Sequence, residues 1–165
     1  MNSPNPPDAS HAPPASPSSQ PIVAPLWRRL AAMLYDSILV IAIWIVVGGI
    51  VLAIFGVDES RAQNGIMTEL SLAHQMTLFI ALILSPLLFF GFFWTHSGQT
   101  LGMQAWRIRV QNADGSAISW RQSLLRFGTA PFALLALGLG YLYMLVDKER
   151  RTLPDIVSNS QVVKI

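Results

Sequence analysis

The chain has no cysteine, so disulfide frameworks, zinc–thiolate centres and thiol nucleophiles are excluded at once. Charge is scarce too: 12% of its 165 residues are charged, against roughly a quarter in soluble domains. Histidine is too sparse for a metal site, because His74 and His96 fall at opposite ends of one apolar stretch. The first 25 residues lack the basic start and apolar centre of a signal peptide, and no Ala-x-Ala-like site follows the first apolar run, so no cleavage is expected. Serines without a base partner, the lone Gly138-x-Gly140 and the absence of paired acids argue against hydrolysis or phosphate binding. The chain is therefore not expected to be an enzyme, and no cofactor is expected.

What remains is oil: 52% of the side chains are hydrophobic. Apolar spans are expected at about residues 30–55, 74–94 and 127–146, each near the ~20 residues a helix needs to cross a ~30 Å hydrocarbon core. The expected class is an all-α integral membrane protein with about three transmembrane helices, its partner the lipid bilayer. The net charge of +2 and pI near 9.4 do not indicate nucleic acid, because the bases are dispersed and sit beside the apolar runs.

Residues 1–24 form a Pro/Ser-rich segment with the composition of a disordered tail, and residues 25–165 read as the membrane domain. Within the first span, Gly48-Gly49 could admit a close helix neighbour, although glycine is common in such helices. In the second span, Pro86 must free a backbone carbonyl that a neighbouring helix or water has to satisfy, and a kink is expected there. Trp94 and His96 suit the headgroup region. Residues 106–118 alternate apolar and polar around Asp114-Gly115, which predicts a small cytoplasmic hairpin. Residues 119–127 predict an amphipathic helix start capped by Ser119 and carrying Arg121 and Arg126.

Counting bases in the short flanks puts the N-terminus and the second connection in the cytoplasm and the acidic connection, residues 56–73, outside. A third full crossing would then send Lys148, Arg150, Arg151 and Lys164 outward, against the same rule. Twenty uncharged residues suit a single span, so three crossings are expected; the alternative is a bend at Pro131 or Gly138/Gly140 and a return.

Asp36 is the residue with the clearest claim to function. A carboxylate at mid-membrane costs ~2.5–3.5 kcal/mol on the insertion scale, so it needs a partner or a use. Arg29 lies seven positions earlier, about 10 Å along a straight helix and too far for a direct pair. Bases of residues 147–155 are the candidate partners if that stretch folds back to the cytoplasmic face. As plain structural readings, Arg28 and Arg29 serve as topology anchors, Asp36 as a hydrogen-bonded helix contact and Asp155 as a helix cap.

Three blocks stand in order: Trp27-Arg-Arg-Leu-Ala-Ala-Met-Leu-Tyr-Asp36, Thr100-Leu-Gly-Met-Gln-Ala-Trp-Arg-Ile-Arg-Val-Gln-Asn-Ala-Asp-Gly115, and Asp147 onward to Arg151-Thr-Leu-Pro-Asp155. Together they resemble the RDD family of small multi-pass membrane proteins, named for one arginine and two aspartates. The resemblance covers about residues 24–165. It implies that the family arginine is Arg29, with Arg28 the neighbouring option, that the first aspartate is Asp36, and that the second is Asp155, with Asp147 the alternative. The family often has His before the last aspartate and a base after it, where this chain has Pro154 and Ile156.

The resemblance implies an inner-membrane protein of bacterial type, and its activity is open: transport of an unidentified ligand has been proposed for the family, and some members are associated with sodium/proton exchange. On that basis Asp36 is the expected intramembrane site for a small ligand or cation, with Arg29, Asp155 and, secondarily, Arg28, Asp147 and Arg151 around it. So few helices cannot enclose a pathway, which implies a homo-oligomer or another membrane subunit. The competing class is a non-transporting interaction or assembly subunit that docks through residues 106–118.

Overall fold

The computed structural model describes residues 21–55 and 72–165. The expected disordered tail falls mostly, and the acidic connection almost wholly, outside the described residues. Two long helices dominate: α1, Leu26–Phe55, and α2, Leu72–His96. At ~1.5 Å per residue both exceed a ~30 Å hydrocarbon core. Pro25 sits immediately before α1, where its fixed φ suits a helix start, and its carbonyl accepts from the amides of Arg28 and Arg29.

The two helices form an antiparallel pair, visible as a ladder of contacts. Phe55 meets His74 edge-on at 4.5 Å between centroids at one end. Midway, Trp44 Nε1 donates to the Leu82 carbonyl at 2.8 Å. At the other end Asp36 meets the segment that follows α2. The Leu82 carbonyl is the one Pro86 frees, four residues on, so a neighbouring helix satisfies it as expected. The helix runs unbroken through Pro86.

A short helix α3, Leu101–Ala105, follows α2, its amino end capped by Thr100, whose Oγ1 accepts from Met103 N at 3.2 Å. Strand β1, Ile108–Gln111, comes next. The expected hairpin is corrected here. A turn does form, with Asn112 N donating to Ser116 O at 2.9 Å, but β1 finds its partner at the far end of the chain. It pairs antiparallel with β2, Gln161–Lys164, in the register Ile108↔Lys164 to Gln111↔Gln161. The other edge of β2 is covered by residues 22–24: Ala24 N donates to Val162 O and Lys164 N to Ile22 O. Ala24 is wholly buried, so the folded body begins before Pro25.

Helix α4, Trp120–Leu135, opens with a reciprocal cap: Gln122 N donates to Ser119 Oγ, and Ser119 N donates to Gln122 Oε1 at 2.8 Å. The third apolar run is not one straight crossing. After α4 the chain turns by 108° into α5, Leu139–Leu142, and a 3₁₀ turn, Tyr143–Leu145. Leu137 and Gly138 supply the bend with φ of 52° and 75°, a region glycine enters at little cost. Gly140 lies so close to Ala133 that a Cβ there would collide with it. The chain then reaches α6, Leu153–Val157, which packs on α4, and ends in β2.

By length and composition there are two candidate spans among the described residues, or three if the bent pair counts as one. The pairing of β2 with both β1 and residues 22–24 brings the C-terminal strand to the end of the molecule where α1 begins and α2 finishes. The buried core lies at that end, built from Ala24, Ala32, Trp94, Met103, Ile108, Val110, Ile118 and Val162. In α1 only Arg29, Ala32 and Asp36 are buried. The remaining apolar length of α1 faces outward, as lipid contact requires.

Candidate functional site

Arg29 lies on the first turn of α1, on the face that Pro25 and Ala24 turn inward. Its Nη1 pairs with Asp155 Oδ2, its Nε donates to Ala24 O at 3.1 Å, and its Nη2 donates to Val162 O at 3.2 Å. One guanidinium thus joins α1, α6 and β2. Arg126 of α4 approaches the same carboxylate from the other side, its Nη1 2.7 Å from Asp155 Oδ1 and 2.6 Å from Ser160 Oγ. Arg126 also lies over the Trp94 ring, 5.6 Å from its centroid.

Asp155 is fully buried. It accepts a further hydrogen bond from Thr152 N at 3.0 Å, the cap of α6 that the sequence suggested. Burial pushes its carboxyl up, but the charges of Arg126 and Arg29 and the Thr152 amide outweigh burial and hold it below its ordinary value of 3.8. It is an ionised anion between two cations, and removal of one member of such a group would leave buried charge unpaired.

Asp36 occupies a separate place, two turns deeper along α1. Its carboxylate accepts from Thr100 Oγ1 at 2.5 Å and from Gly102 N at 2.8 Å. This corrects the expectation that C-terminal bases would meet it. The partners are an uncharged hydroxyl and a backbone amide 64 and 66 residues away in sequence. Gly102 is needed for the approach: a Cβ there would strike the Ala32 carbonyl and lie 2.8 Å from Asp36 Oδ1. Asp36 also lines a cavity of about 350 Å³ between α1 and α2, together with Ser37, Trp44, Phe90, Trp94 and Met103.

The structure therefore brings Arg29 and Asp155 together and leaves Asp36 apart. Arg28 points elsewhere, donating from Nη1 to the Trp106 carbonyl at 3.0 Å and stacking over Trp27. Asp147 and Arg151 form a surface pair, 3.2 Å from Nε to Oδ2, with Glu149 beside it at 3.1 Å from Arg151 Nη1. Neither joins the buried cluster. Sequence reasoning missed Arg126 as a site residue because it reads as one more base on an amphipathic helix. The available signal was its position among apolar neighbours, with Trp94 as a ring to stack on.

No curated protein and no solved structure matches this chain. The sequence model of the RDD family matches residues 23–159, which span the described body from the residues covering β2 to the end of α6. The buried arginine of α1, the buried aspartate two turns on and the buried aspartate of α6 lie inside that match, and the chain belongs to the RDD family.

Proposed function

We propose that this RDD-family membrane protein handles a small cation or proton at Asp36, in a transport-type role as a homo-oligomer or with another membrane subunit. One observation carries this reading: Asp36 is a buried carboxylate in a membrane helix whose hydrogen-bond donors are both uncharged, beside a cavity of about 350 Å³. None of the ion pairs among the described residues includes it. An intramembrane acid without a basic partner suits an exchangeable positive charge: it binds when ionised and releases when protonated. Arg29, the obvious competitor, is engaged by Asp155 and so does not neutralise it.

Arg28, Arg107, Arg109, Arg121 and Lys164 surround the sheet end. By the positive-inside rule that end is the cytoplasmic one, in a bacterial inner membrane. Two long helices and a bent pair do not enclose a pathway alone. The outward apolar faces of α1 and α2 are where further copies or another subunit would pack.

A second reading, a non-transporting assembly subunit, is favoured by the engagement of both Asp36 oxygens in fastening α3 to α1. Everted vesicles and sodium- or lithium-sensitive cells separate the two. Asp36→Asn should abolish cation-linked exchange and tolerance while the protein accumulates normally. If exchange survives in Asp36→Asn, the site is wrong; loss of the protein itself in both Asp36→Asn and Thr100→Val supports the fastening role instead.

A further inference from the structure

The buried cluster has one positive charge more than its own members cancel: Arg29 and Arg126 contribute two, Asp155 removes one. A small, partly open cavity of about 50 Å³ adjoins it, lined by both arginines, Trp94, Met103, Tyr141 and Thr152 among others. That is ample for an ion of one to a few heavy atoms, since ~10–15 Å³ already holds a water.

Three polar groups on these lining side chains lack an acceptor among the described residues: Arg126 Nε, Trp94 Nε1 and the Thr152 hydroxyl, whose oxygen faces the Asp155 amide in the cap of α6. All three belong to side chains at least nine-tenths buried. Two are obligate N–H donors and the third is a hydroxyl that can donate. Buried donors left unmatched each cost ~1–3 kcal/mol, so their gathering at one cavity calls for an acceptor. The other buried acid among the described residues, Asp36, does not line this cavity and spends its oxygens on Thr100 and Gly102.

We infer that this cavity binds a small monovalent anion, a halide or a planar oxyanion of nitrate size, held by the two guanidinium groups, the Trp94 indole N–H and the Thr152 hydroxyl. The anion would complete the charge of the cluster that joins α1, α4 and the C-terminal segment. It would thereby act as a structural ligand of this end of the molecule. Asp36 itself does not line this cavity, although Met33, Trp94 and Met103 wall both cavities, and anion affinity and cation exchange are read by different measurements, so either can fail without the other.

The test is thermal unfolding of the full-length protein in detergent, in sodium chloride, sodium nitrate or sodium gluconate at constant ionic strength. Gluconate is too large for the cavity. Chloride or nitrate should raise Tm saturably relative to gluconate, as a ligand of the native state does. Thr152→Val deletes one donor while nearly keeping volume, and Trp94→Phe deletes another while keeping an aromatic ring at that position; in either the half-saturating concentration should rise about tenfold, the worth of one hydrogen bond to a charged group. Equal Tm in all three salts, or a saturation curve unchanged in both variants, would overturn the assignment.

Discussion

At the scale of single residues, the acids of this chain divide the work. Asp155 is a fastening: with two arginines on it, its neutralisation strands buried positive charge. Asp155→Asn is expected to destabilise the protein by ~3–5 kcal/mol, measured by denaturant or thermal unfolding in detergent. The pH dependence has a definite sign. Because the folded carboxyl titrates below its unfolded value of 3.8, the stability it contributes is complete above that value and is lost as pH falls through the depressed folded value. The wild-type melting temperature should therefore drop on acidification below about pH 4, and Asp155→Asn should show a shallower acid limb. An equally steep limb in that variant would assign the acid sensitivity to other groups. Asp36 was legible in the sequence as a buried acid because a charge inside an apolar run stands out. Its partners were not, because Thr100 and Gly102 look like ordinary connector residues until the chain folds back on α1. Asp155 looked like a helix cap, which it is; nothing local to it disclosed that two arginines from distant helices would converge on it.

At the scale of elements, local signals gave the helices and long-range pairing gave the surprises. Pro86 frees the Leu82 carbonyl within α2, and Trp44 of α1 supplies the missing donor at 2.8 Å. The two long helices are thus pinned at mid-length by a hydrogen bond that exists only because of the proline. Trp44→Phe should cost ~1 kcal/mol or more in the wild type, and much less in a Pro86→Ala background where α2 can satisfy its own carbonyl. A double-mutant cycle checks this; equal costs in both backgrounds would show that Trp44 acts only through its bulk. The Ser119 cap was readable because its partner Gln122 is three residues away. The sheet was not. Asp114-Gly115 is a strong hairpin signal, and it does make a turn, but Val162 and Val163 offer β1 an apolar partner that the short residues after the turn do not. Likewise, twenty uncharged residues suit one span by count alone, whereas Leu137 and Gly138 break the run sharply, with α5 fitted against Ala133.

At the scale of the whole molecule, the central claim is closure at one end. Residues 22–24, β1 and β2 form a single patch, and Arg29, Asp155 and Arg126 bolt it to α1, α4 and α6. The third apolar run leaves that end and the chain after it comes back, so Lys164 pairs with Ile108 at the same end of the molecule as the other sheet-end bases. The conflict with the positive-inside rule that a third full crossing would create does not arise for it. The natural chain has no cysteine, which makes the decisive measurement simple. Single cysteines placed at Ile22 and at Ile165 are labelled with a membrane-impermeant maleimide in intact cells and in everted vesicles. Closure predicts that both positions react in the same one of the two preparations; labelling from opposite sides would contradict it.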